Sequence, residues 1–140
     1  MFKGGVKEAA KILASMTPSE QKNLITRIRA QDPKMADTLE GNLISIEDVQ
    51  YLSASMLVGV LRDIPLETFG LALRTVDQNI VQDILNKVST GIKLDIEDGL
   101  KGKPRRVSEV EEAQKEVISL LKKKVDLGHI SLAPDSDEYV

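Results

Sequence analysis

The sequence predicts an all-α fold, and three observations carry that expectation. Aromatic residues make up only 3% of the chain and tryptophan is absent. The core must therefore come from Leu, Ile, Val, Ala and Met, side chains suited to packed helices, whereas sheets favour aromatic and β-branched residues. Apolar residues recur at helical spacing. Capping residues and prolines cut those stripes into short segments, and no β-hairpin signal competes with them. With 140 residues, 41% apolar and 29% charged, the chain has the length of a typical domain, enough apolar content for a core and enough charge for solubility.

The elements follow in order. Val6, Ala9, Ala10, Leu13 and Met16 mark a first helix over 6–16. Thr17-Pro18-Ser19-Glu20 reads as a capping box with Pro at the first helical position, opening a helix that buries Leu24, Ile25 and Ile28. Asp32-Pro33 repeats the device ahead of Met35, Ala36 and Leu39, and Gly41 fits as the stop. Ser45 caps a short turn through Asp48 to Leu52. Ser53 opens an amphipathic helix carrying Met56, Leu57, Val60, Leu61 and Ile64, which Pro65 ends or bends. A helix over 66–74 follows, then one capped by Asp77 that buries Ile80, Val81, Ile84, Leu85 and Val88. Residues 89–100 form another, weakened by Gly91 and Gly99. The basic loop 101–107 leads to Ser108-Glu109-Val110-Glu111, a second capping box. The last helix carries Val110, Ala113, Val117, Leu120 and Leu121 and stops at Gly128. The acidic tail, 132–140, reads as disordered. Seven to nine short helices of this kind stack as an α-solenoid or pack as a bundle.

The inventory of reactive groups points away from catalysis. There is no Cys, so disulfides and thiolate metal sites are excluded. His129, the single His, has no nucleophile beside it and reads as a solvated side chain. No H-E-x-x-H, G-x-S-x-G or phosphate-cradling loop is present. Asp95, Glu97 and Asp98 are acidic enough for a divalent cation, but no calcium-loop pattern surrounds them, and a solvated helix face accounts for them. No cofactor or metal is expected. A net charge of −3, with small basic spots at 103–106 and 122–124 and no aromatics near them, argues against nucleic acid. The apolar runs are too short to span a bilayer and the amino terminus has no signal-peptide core, so a cytoplasmic setting without membrane insertion is expected. Apolar helices interleaved with charged faces suit contact with other proteins.

Three segments carry a resemblance. Gly4-Gly5-Val6 followed by Ala10-x-Ile12-Leu13-x-x-Met16, the stretch Val60-Leu61-Arg62-Asp63-Ile64 through Leu71-Ala72-Leu73-Arg74, and Ser108-x-Val110-Glu111-x-x-Gln114 stand in the order and spacing of the C-terminal half of FliG, the flagellar motor switch family. The final Tyr139-Val140 is also similar to the end of some members. The resemblance covers nearly the whole chain. It implies an armadillo-like helical unit over 1–41, a hinge over 42–52, and a six-helix torque domain over 53–131 that shows a charged ridge to the cytoplasmic loop of a MotA-type stator. It places the chain at the inner face of the cell membrane in the flagellar basal body, as a non-enzymatic rotor component. A short FliG-like adaptor that binds other proteins without generating torque is the alternative.

Carried over residue by residue, the resemblance implies stator contact at Arg74, Asp98 and Arg106, where the family has a functional Lys, an Asp and an Arg. Gly91 and Gly99 replace a family Arg and a second Asp. Leu43, Ile44, Ser45 and Ile46 occupy the place of the family's Met-Phe-x-Phe hinge and exchange aromatic bulk for aliphatic packing. Within these residues there is no counterpart of the family's ring-attachment domain or of the first armadillo unit, which bears a Glu-His-Pro-Gln-Arg surface for FliM. The stripe Val6, Ile12, Leu13, Met16, Leu24, Ile25 and Ile28 is therefore expected to lie against a second copy of the chain or a FliG molecule.

Overall fold

The structure, a computed structural model, describes residues 5–132, all helices and connections, with no strand among them. The Val6 side chain and the tail 133–140 lie outside the described residues. The chain divides into two compact units, one ending at Ile44 and the other starting at Ser45.

The first unit holds α1 (Gly5–Ala14), α2 (Pro18–Gln31) and α3 (Pro33–Asn42). The Thr17 capping box forms as the sequence predicts: the Thr17 hydroxyl accepts the Glu20 N–H at 3.3 Å, and the Glu20 carboxylate accepts the Thr17 N–H at 2.9 Å. The Asp32 carboxylate accepts the Met35 N–H at 3.1 Å, so a single residue separates α2 from α3. Ala9, Leu13, Ile25, Ala36 and Leu39 form the core. Gln21 is buried and donates to the Leu13 carbonyl at 2.7 Å, a second bond to an oxygen that also accepts the Met16 N–H at 3.0 Å, so the buried amide has a partner at the end of α1. Gly41 is not the stop. It lies inside the last turn of α3, and the helix ends because Leu43 turns extended.

The second unit begins with a short 3-10 helix (Ile46–Tyr51), followed by α4 (Ala54–Leu61), α5 (Leu66–Ala72), α6 (Gln78–Leu85), α7 (Thr90–Lys101) and α8 (Val107–Asp126). Between Ser53 and Ile130 there are thus five α-helices, and the sixth helical element is the 3-10 segment upstream. Ser53, Asp77 and Ser89 cap α4, α6 and α7 through Met56, Asn79 and Ile92. Pro65 neither ends nor bends α4, which stops four residues earlier; it leads into α5. The last helix starts one residue ahead of Ser108, so Glu109 rather than Glu111 takes the third helical position. Gly128 ends it in the left-handed region at φ 77°, a conformation that favours glycine.

Phe69 of α5 is fully buried, with Leu57, Leu73, Ile84, Ile96, Val117 and Leu121 also in the core. Val110, Ala113, Gln114, Val117, Ile118 and Leu121 alternate by three and one along α8, the spacing that keeps one stripe inward over about 17 Å of helix. Lys87 donates to the Gln50 carbonyl and, at 2.8 Å, to that of Leu52, holding the end of the 3-10 helix.

Candidate functional site

Two of the candidate charges, Arg74 and Asp98, stand at the C-terminal end of α7, and two glycines decide how that end is placed. A Cβ on Gly70 of α5 would stand 2.0 Å from the Ile96 carbonyl oxygen, and one on Gly99 of α7 would stand 2.0 Å from that of Glu67. No side chain fits at either point, so α5 and α7 meet backbone to backbone. Gly99 is therefore a packing residue. At Gly91, by contrast, a Cβ would meet nothing within 4 Å.

Arg74, just past α5, acts as a clasp. Its Nε donates to the Gly99 carbonyl and its Nη1 to the Lys103 carbonyl, both at 2.8 Å. The Gly99 carbonyl is among those left unpaired at a helix C-terminus, where a cation is also favoured by the helix dipole. Arg74 is only partly exposed. A Cβ on Gly102 would lie 2.7 Å from the Asp98 carbonyl oxygen and 3.4 Å from Arg74 Nη2, so the backbone of α7's last turn closes around the guanidinium. From α8, the buried Gln114 donates to the Ala72 carbonyl at 3.0 Å and to Thr75 Oγ1 at 2.8 Å. The turn carrying Arg74 is thus held on both sides.

Asp98 and Arg106 differ from Arg74 in being exposed. On the same helix Leu94 is 57% exposed, and Glu97 pairs with Lys101 at 3.4 Å. Arg106 precedes α8 and donates its backbone N–H to the Glu109 carboxylate at 3.0 Å. Arg105 reaches the same carboxylate through Nε at 3.1 Å and Nη2 at 3.0 Å. The Arg105 hydrogen bond, followed by the backbone one from Arg106, holds the Glu109 carboxyl below the usual carboxylate range.

A depressed carboxyl stabilises the fold above the usual carboxylate range, and that contribution is lost as pH falls through the lowered value. Glu109→Gln is expected to melt lower than the parent at pH 7, with the gap closing on acidification; a gap independent of pH would refute the assignment. The pair is solvent-screened, so the effect is modest.

The predicted hinge residues divide between the units. Leu43 packs against the core of the first unit, and Ile46 is buried in the second. Ile44 and the exposed Ser45 stand between, with the Ser45 N–H donated to Asp48 at 3.0 Å. The predicted interface stripe divides as well. Leu13 and Ile25 fill the unit's own core, because α2 and α3 close over them. Met16, Leu24 and Ile28 are partly buried against it, and Ile12 is 44% exposed.

Sequence reasoning missed a cleft of about 430 Å³ lined by Ser55, Met56, Gly59, Arg62, Asp63, Lys124, His129 and Ile130. Nothing in the chain order joins α4 to the end of α8. The Lys124–Asp63 ion pair at 2.7 Å does so in space.

Among the described residues no acidic or His cluster suits a metal, and no helix is long and apolar enough to cross a membrane. Two compact units of short helices, with charge displayed beside an exposed leucine on α7, define a helical module of the protein-contact class. The chain belongs to the family of the FliG C-terminal domain, whose model matches residues 26–132. It is 28% identical over 138 residues to the flagellar motor switch protein FliG of Vibrio cholerae, covering 98% of this chain and 40% of that protein. To FliG of Thermotoga maritima it is 25% identical, covering 96% of this chain and 41% of that protein. The chain therefore spans about two fifths of the length of these relatives. Among solved structures it resembles a FliG fragment from H. pylori, with a TM-score of 0.69 at 20% identity over 94% of this chain and 62% of that one, a likeness of fold. Full-length FliG of Aquifex aeolicus matches with a TM-score of 0.56 at 26% identity, over 91% of this chain and 40% of that one.

Proposed function

We propose that this chain works, without catalysis, in a flagellar motor switch at the inner face of the cell membrane. Residues 1–41 serve as an armadillo-like unit and 53–131 as a torque-bearing domain, joined through 42–52. The observation that carries this reading is the family match over 26–132, most of the chain.

Within it, Asp98 and Arg106 are the contact charges toward a stator loop, because both are exposed at the end of α7 and the start of α8. Arg74 supports the site by holding α7's last turn. The contact is electrostatic, so it steers and selects a partner more than it contributes affinity, and added salt weakens it. The pivot between the units narrows to Ile44 and Ser45. The armadillo face toward a second copy or a FliG molecule centres on Ile12, with Met16, Leu24 and Ile28 beside it.

The test is the double variant Asp98→Lys/Arg106→Glu in a motor that carries this chain. Both side chains are exposed, so stability should stay within about 0.5 kcal/mol of the parent. Swimming should fall severalfold while the motor still assembles. Normal swimming would sink the assignment of these two charges. Ile12→Glu should separately abolish association with a second copy or with FliG, read by sedimentation. Unchanged association would remove Ile12 from that face.

A further inference from the structure

The cleft between α4 and the end of α8 is not used by the site described above, and its chemistry is distinctive. Arg62 and His129 are exposed at its rim, and Lys124 lies along it paired with Asp63. Asp63 is held below the usual carboxylate range by the Lys124 hydrogen bond and charge, with Lys123 and Arg62 adding to the effect. Three cations thus surround one carboxylate, and the rim is electropositive in a chain whose net charge is −3. The floor is left open at Gly59, where a Cβ would meet nothing within 4 Å. Glycine weakens a helix interior, and no close packing around Gly59 requires it. Met56 and Ile130 supply an apolar lining.

We propose that this cleft is the docking surface for the chain's own acidic segment, residues 133–140. Ile130 lines the cleft, and the described chain ends two residues later at Leu132. The next eight residues, APDSDEYV, supply three carboxylates, Asp135, Asp137 and Glu138, whose charge complements the cations, and two apolar side chains, Tyr139 and Val140, that match the apolar lining in kind. Asp135 is three residues from Leu132, within roughly 10 Å of extended chain. A tether this short gives an effective concentration on the order of millimolar, so individually weak ion pairs suffice. Docked there, the segment screens a cationic surface from other acidic partners.

Amide NMR of the full chain tests this. The triple variant Asp135→Asn/Asp137→Asn/Glu138→Gln should shift the signals of Gly59, Arg62 and His129. A peptide of sequence 133–140 added to that variant should move them back. Its binding should weaken by about tenfold between 0.05 and 0.5 M salt, since the contact is solvent-exposed and screened. Gly59→Leu, which fills the floor and leaves every charge in place, should abolish peptide binding. Coincident spectra of parent and triple variant would overturn the proposal. So would shifts that depend on protein concentration, which would place the segment of a second copy in the cleft.

Discussion

Gly99→Asp is expected to lower the melting temperature of the second unit by more than roughly 12 °C, rather than to restore a missing ridge charge. The Cβ that any other residue brings would stand 2.0 Å from the Glu67 carbonyl oxygen, and that neighbour is backbone, which cannot rotate away. Overpacking costs about 1–3 kcal/mol, occasionally more; a clash with backbone falls at the upper end of that range, and a kilocalorie is worth ~4–8 °C in a unit of this size. The carboxylate would add the burial of a charge without a partner. Gly91→Arg makes the control, since its Cβ enters open space. It should leave stability nearly unchanged, the gain from replacing a helical glycine being offset by placing a cation near the start of α7. Thermal melts of the two variants side by side settle the matter. Equal, small effects would mean that α5 and α7 are not in backbone contact.

Arg74→Glu is expected to destabilise the unit by about 2–3 kcal/mol, because it removes two charge-assisted hydrogen bonds to the carbonyls of Gly99 and Lys103. It also sets a carboxylate against the negative end of the α7 dipole. Hydrogen exchange should show the last turn of α7 and residues 102–106 opening first. Arg74→Lys should recover only part of the loss, since an ammonium lacks the fork that spans both carbonyls. A motility defect in Arg74→Glu would therefore not by itself report a stator contact, whereas one in Asp98→Lys would. If Arg74→Glu melts like the parent, the clasp is not structural and Arg74 returns to the contact charges.

Much of the fold was legible in the sequence because helix starts are local chemistry. Thr17, Asp32, Ser53 and Asp77 each cap the helix they were expected to open, using an oxygen two or three residues from its donor. Glycine was harder to read, since its meaning depends on what comes near it in space. Gly41 stands inside a helix, Gly99 packs against a strange helix's backbone, and only Gly128 sits at a left-handed stop. The start of α8 slipped by a residue because Ser108 and Glu111 offered a box as plausible as the one Glu109 makes with the Arg106 backbone. The candidate site was less legible for the same reason. The charge of Arg74 is plain in the sequence, but the carbonyls it clasps lie 25 and 29 residues away. Helical spacing singled out Leu13 and Ile25 in the first unit, but grouping them with Ile12 in one interface stripe ignored that α2 and α3 close over the first two and leave Ile12 outside.

The bare-backbone meeting of α5 and α7 also has a mechanical side. Where helices touch through side chains, rotamers can yield and absorb a load. At Gly70 and Gly99 there is no such cushion. Force applied to the outer face of α7 passes directly into the helix that carries the buried Phe69, and the pair moves as one stiff strut. Compliance then has to reside in the connections that flank the pair, not in the contact between the two helices.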